Sequence, residues 1–249
     1  MILISIVDVT SPITAADCNA AILQLAKTYP GCRTELLTTT IFGRPIRTLV
    51  MGNGPRKVLD SASHHANEWI TSLLLLKFCE ELAQILSDSA PIDGPMWSSL
   101  PTKDDFTLYA VPMVDPDGVD LVVGAIPENS IQFSLATELS RNYPDIPFPS
   151  GWKANLLGVD LNLQYPAGWL QAREIKFMHG FTRPGPRDYV GRAPLDQQEA
   201  RALAGYTEAV DPSLVIALHT QGEEIYWQFD DIFVPGAKEL GEEFARVSG

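Results

Sequence analysis

Positive charge is scarce in this 249-residue chain: 18 Lys and Arg stand against 31 Asp and Glu, a formal net charge of −13. Phosphate binding depends on clustered cations, and no stretch of the sequence gathers them, which argues against a nucleic-acid surface. Cysteine is equally sparse. Cys18, Cys32 and Cys79 are the only three, and none forms a C-x-x-C pair, so neither a disulfide framework nor a thiolate zinc knuckle is indicated. Reduced, partly buried thiols in a cytoplasmic setting are expected, with a Cys18–Cys32 bridge as the open alternative. Long apolar runs are missing too, and the four leucines at 73–76 are far too few to span a bilayer. The N-terminal "MILISIVDVTSPIT" carries no positive segment and has Asp8 early, unlike a secretory signal. A soluble, cytoplasmic protein with neither nucleic acid nor membrane as partner is the expectation.

No internal repeat, low-complexity tract or composition break marks a linker, so a single domain over residues 1–249 is expected. Residues 13–29 read as a helix with Thr14 as N-cap, Pro30 as stop and Ala20, Ile22, Leu23, Leu25 and Ala26 as its apolar stripe. A hairpin is expected around Gly43-Arg44-Pro45, then a short strand in "RKVLDSAS". A second helix is expected from Glu68 to about Leu86, followed by a polar loop at 87–95. "DFTLYAVPMV" reads as a strand closed by the turn signal "DPDG" at 115–118. Residues 124–160 are polar and Pro-rich and read mainly as loop. Later come a helix in "PLDQQEARALAGYTEAV", a strand, turn and second strand in "SLVIALHTQGEEIYWQF", and a last amphipathic helix with Leu240, Phe244 and Val247 on one side. Strands alternating with helices predict an α/β fold, a mixed, mostly parallel sheet covered by helices on both faces.

Histidine is the informative rarity. Of four in the chain, two are adjacent in "SASHHANEWIT", residues 61–71. His65 follows a predicted strand and Glu68 stands at a helix start, while the distant His219 ends the apolar strand "LVIAL". Strand carboxyl ends are where open α/β sheets bind ligands. Two imidazoles and a carboxylate are a set that catalytic zinc sites use, leaving a fourth position for water. Alone, H-x-x-E is weak, because the spacing recurs by chance.

"HANEWIT" resembles the zinc-binding H-x-x-E-W segment of zinc metallocarboxypeptidases, and "DPDG", "WKANLLGVDLN" at 152–162 and "HTQGEEIYW" at 219–227 follow in that family's order. The wording is most similar to the branch of γ-D-glutamyl-diaminopimelate endopeptidases, which cleave peptidoglycan peptides. This resemblance implies one Zn2+ ion held by His65, Glu68 and His219, with His64 a neighbour. It implies that Asp160 orients a metal-binding histidine, although a turn aspartate capping backbone amides is the plainer reading. Lys153 aligns with the arginine that stabilises the oxyanion; a lysine supplies charge without the bidentate fork, or is simply solvated beside Trp152.

Asn162 matches a carboxylate-binding asparagine, but Leu163 replaces the arginine that grips a terminal carboxylate, so ordinary carboxypeptidase specificity is not expected. Gln221, Glu223 and Glu224 could read a diamino acid or form a solvated acidic turn. Trp152, Trp169 and Trp227 are expected in the core or a cleft wall. The family's general-base glutamate, on a strand well beyond the third ligand, finds no match, and Glu239, Glu242 and Glu243 read as a solvated helix face. The expectation is therefore a carboxypeptidase-like catalytic domain cut short at its C-terminus, without the final strands and helix, acting on short acidic or cell-wall-derived peptides. The alternatives are an N-acyl amino acid deacylase of related fold and a metal-bearing but catalytically impaired peptide-binding module.

Overall fold

The computed structural model describes residues 5–87 and 102–248. Helix α1 (Ala15–Thr28) starts where the sequence predicts: Thr14 accepts from the Asp17 amide and Asp17 answers Thr14, a reciprocal capping box that satisfies two otherwise orphaned amides. Its buried positions are Ala15, Cys18, Ile22 and Leu25; of the expected stripe Ile22 and Leu25 are buried and Ala26 packs on the core, whereas Ala20 is exposed and Leu23 is 47% exposed. Strands β1 (Cys32–Thr39) and β2 (Pro45–Gly52) form the expected hairpin, its turn passing through Gly43 at φ +88°, a conformation a side chain would strain. Strand β3 (Arg56–Ala62) leads through a single 3-10 turn, Ala66–Glu68, into helix α2 (Ile70–Leu86). The expected polar loop at 87–95 falls, beyond Ser87, outside the described residues.

After strand β4 (Phe106–Val111), "DPDG" opens a helix instead of closing a turn. Asp115 caps α3 (Pro116–Val122) by accepting from the Gly118 amide, and Pro116 occupies the first helical position, where its missing N–H costs nothing. The stretch read as loop at 124–160 contains α4 (Ile131–Ser140), capped by Ser130, and α5 (Trp169–Met178) lies beyond it. Helix α6 (Gln198–Val210) and strand β5 (Leu214–Leu218) fall where expected. The second strand after His219 does not form; only an isolated bridge joins Phe229 and Ile232 before α7 (Ala237–Ser248).

The sheet order is β1-β2-β4-β3-β5. Strand β2 alone opposes the rest, because β3 runs parallel to both β4 and β5 while β1 and β4 are antiparallel to β2. Alternation along each strand separates two apolar layers. Leu49, Met51, Leu108, Ala110 and Ala62 face α1 and α2, meeting Ile22, Leu25, Leu76 and Cys79. On the other face Ile46, Leu59 and Val111 meet Ala200 and Leu203 of α6. Each fully buried leucine here contributes about 1.5–3 kcal/mol.

All three cysteines are free and buried, and no Cys18–Cys32 bridge forms. Burial pushes the Cys18 thiol up to about 12, which keeps it protonated and inert. Trp152 and Trp169 lie in the core, whereas Trp227 is 38% exposed.

The chain divides into two compact units, residues 1–219 and 220–249. Within the second, Trp227 packs against Gly241 of α7, where an added Cβ would lie 3.1 Å from the Trp227 Cβ. The apolar side of α7 stays open: Leu240, Phe244 and Val247 are all exposed. No helix of the described residues is long and apolar enough to cross a membrane.

Candidate metal centre

Parallel pairing places the carboxyl ends of β3 and β5 side by side, Ala62 opposite Leu218, so the residues that follow each strand are brought together. Past Ala62 the chain turns sharply at Ser63, a buried non-glycine at φ +50°. Such a conformation persists only when its surroundings fix it. Here the Ser63 amide donates to the Thr71 hydroxyl at 2.9 Å, that hydroxyl donates to the Glu68 carbonyl at 2.7 Å, and the Ser63 and Ser72 hydroxyls meet at 2.7 Å. The kink and the 3-10 turn bring His65 and Glu68 round to face His219.

Ligating atoms of His65, Glu68 and His219 all lie within 4.8 Å of one another. His65 Nδ1 is 3.1 Å from Glu68 Oε1, and His219 Nδ1 is 3.0 Å from Glu68 Oε2. The imidazole centroids are 4.9 Å apart. His65 Nδ1 is a buried nitrogen without a hydrogen-bond partner, despite its closeness to Glu68. An orphaned lone pair beside a carboxylate and a second imidazole nitrogen suits a cation better than it suits a neutral core. These residues fit a zinc ion.

The groups around the triad are equally defined. His65 Nε2 meets Asp160 Oδ1 at 3.2 Å, which leaves Nδ1 as the free ring nitrogen. Asp160 caps the turn as well, since its Oδ1 also accepts from the Asn162 amide at 3.2 Å. Lys153 Nζ lies 3.2 Å from Glu68 Oε1 with its side chain only 11% exposed, so it is no solvated lysine. His64 turns away from the triad, its Nε2 2.9 Å from the Tyr165 hydroxyl and its ring 5.8 Å from that of His219.

Burial shapes the charges. It penalises the Glu68 carboxylate, but the hydrogen bond from His219 and the nearby charge of His65 and His219 outweigh it and hold Glu68 well below the usual range. For His65, burial works against the proton, while Asp160 and Glu68 win and raise it to about 9. A proton and a metal ion compete for that same lone pair. His64 goes the other way: burial, then the neighbouring His219 and His65, push it down to about 3, so it stays neutral. Asp160 is lowered despite burial, through its bond to His65.

The other expected residues are placed as follows. Asn162 has an exposed side chain and contributes its backbone amide to Asp160. Leu163 is half-buried. Gln221 and Glu223 belong to the second compact unit, where both are exposed, and Glu224 there accepts from the Tyr226 hydroxyl. Sequence reading passed over Tyr165 and Asp188, the latter donating its amide to Asp160 Oδ2 at 3.2 Å. Neither stands in a periodic pattern that could have shown it.

Residues 18–246 match the zinc carboxypeptidase family, peptidase M14, and the chain belongs to that family. It is 39% identical over 228 residues to gamma-D-glutamyl-L-diamino acid endopeptidase 1 of Lysinibacillus sphaericus, covering 92% of this chain and 55% of that protein. It is 35% identical over 230 residues to the uncharacterised protein YqgT of Bacillus subtilis, covering 92% and 59%. The chain thus spans little more than half the length of these curated relatives. Among solved structures, carboxypeptidase A from Helicoverpa armigera shares the fold at a TM-score of 0.66 and 17% identity, covering 98% of this chain and 54% of that one.

Proposed function

We propose that this chain carries the zinc site of a metallopeptidase that hydrolyses γ-D-glutamyl-diamino acid bonds in peptidoglycan-type peptides. One observation carries the proposal: the convergence of His65 Nδ1, Glu68 and His219 on one point, with His65 Nδ1 buried and unpartnered. The likeness to the Lysinibacillus endopeptidase supports the substrate class.

His65, Glu68 and His219 would hold a single zinc ion. When bound, such an ion lowers the pKa of its water to about 7 and polarises a substrate carbonyl. Asp160 keeps the His65 ring turned so that Nδ1 faces the ligand point. Lys153 offers a positive charge beside Glu68, where it would steady an oxyanion forming on the scissile carbonyl. Neither named carboxylate serves as the general base: Glu68 is a ligand and Asp160 is committed to His65. Leu163 cannot pair with a terminal carboxylate, which sets the site apart from ordinary carboxypeptidase recognition. Asn162, Gln221 and Glu223 are proposed substrate contacts, because their exposed polar side chains follow closely on Asp160 and on His219 in sequence.

Zinc content tests the site. The purified chain should hold about one ion, and His65→Ala and His219→Ala should each lose it; full retention in both variants removes the site. Turnover of γ-D-glutamyl-diaminopimelate peptides against N-acyl amino acids then tests the substrate class, and preference for the latter reverses it.

A further inference from the structure

The segment 185–190 runs behind Asp160, and Asp188 within it combines three features. It is buried, it adopts φ +65°, and its carboxylate is held from two sides, by Lys176 of α5 and by Arg187 Nε at 2.5 Å. Left-handed backbone disfavours most side chains, and β-branched ones most of all, while Asp and Asn tolerate it. In that conformation the Asp188 amide donates to Asp160 Oδ2 at 3.2 Å.

Neighbouring backbone groups act on the same site. The Pro186 carbonyl accepts from the amides of Lys153 at 2.7 Å and Ala154 at 2.9 Å, and the Tyr189 carbonyl accepts from the Asp160 amide at 2.9 Å. Gly185 donates to the Gly158 carbonyl at 3.0 Å. One short stretch therefore fixes the backbone of Lys153 and both the backbone and side chain of Asp160. The Asp188 amide holds Oδ2 while Oδ1, which also accepts from the Asn162 amide, meets His65 Nε2, so both oxygens are fixed.

We infer that Asp188 is a positioning residue for the metal centre: its left-handed backbone, pinned to α5 through Lys176, aims an amide at Asp160, and Asp160 in turn sets the orientation of His65. This inference rests on the proposed metal site. It differs from a charge effect, because the group that touches Asp160 is the backbone N–H and not the Asp188 carboxylate.

Cobalt titration of the whole chain, with a competing chelator and the visible absorption of bound Co2+ as a geometric signature, tests it. Asp188→Val should weaken Co2+ binding by about 10–100-fold, the usual cost of losing an outer partner, and shift the visible bands. Asp188→Asn, which keeps the left-handed preference, should restore both to within about threefold of the unmodified chain. Should Asp188→Val fail to fold by circular dichroism, the milder Asp188→Ala is read in its place. A folded variant with unchanged affinity and spectrum overturns the inference, and so does Asp188→Asn behaving as badly as Asp188→Val. In either case Co2+ binding by the unmodified chain, lost in His65→Ala, leaves the metal site standing. If the unmodified chain binds no Co2+, both fall together.

Discussion

The two halves of the metal centre come from neighbouring parallel strands yet sit in contrasting surroundings. His65 and Glu68 follow β3, an interior strand paired on both sides, and are 8% and 1% exposed. His219 follows β5, which among the described residues pairs with β3 alone, and its side chain is 31% exposed. One half is built into the hydrogen-bonded core through Ser63, Thr71 and Asp160; the other is offered from an edge. A site built this way has a rigid wall set in the core, and a more accessible wall tied to it through the contact of His219 with Glu68.

Glu68→Gln should break this contrast hardest, because it removes a ligand and leaves Lys153 and two histidines beside an uncharged group. Metal affinity should fall by at least about 100-fold, beyond the 10–100-fold typical of outer partners. Stability should fall by about 3 kcal/mol, the cost of opening a buried pair, read as a lower urea midpoint. His219→Ala should abolish metal binding as well, yet destabilise the metal-free chain less than Glu68→Gln does, by about 1.5 kcal/mol, the lower end for a lost hydrogen bond to a charged group. Equal destabilisation by both variants would erase the distinction between the two walls.

Asp160→Asn sharpens it further. The amide cannot accept with both atoms, so one of the donors from His65, Asn162 and Asp188 loses its partner, and metal affinity should drop about 10–100-fold while His219 is untouched.

The last expectation is a pH dependence of the metal-free chain. His65 is raised to about 9 in the folded state from an ordinary 6.5, so its proton stabilises the fold fully below pH 6.5, and that contribution is lost as pH rises through 9. Burial raises Asp60 to about 7, which weakens folding as pH climbs from 3.8, a change complete near neutrality. Between pH 7 and 9 the His65 effect therefore stands apart, and the urea midpoint should fall by the equivalent of about 1–3 kcal/mol. Zinc should flatten the slope by replacing the proton.

Much of this centre was legible from residue types. Rare histidines, one after a predicted strand and one ending another, with a glutamate three residues on, offered candidates, and the resemblance of four stretches to zinc carboxypeptidases implied the ligand set. The helix starts at Thr14 and the hairpin at Gly43 were readable because capping and turn chemistry are local. "DPDG" misled for the same local reason: Asp-Pro-Asp-Gly suits a turn and a helix N-terminus equally, and only the packing of α3 chose. The absence of a strand after His219 was likewise beyond local reading, since an apolar stretch becomes a strand only where a neighbour pairs with it.

The departure at Leu163 came from the resemblance to zinc carboxypeptidases, whereas composition, charge and spacing by themselves determined the α/β character and the three candidate residues His65, Glu68 and His219. These follow from side-chain chemistry and period, which need no knowledge of distant neighbours. Tertiary structure alone decided that Lys153 is buried against Glu68, that His64 turns to Tyr165, and that a left-handed aspartate in an unpatterned loop stands behind Asp160. Each of those depends on groups far apart in the chain meeting within about 3 Å, the reach of a hydrogen bond, and a linear sequence carries no such distance.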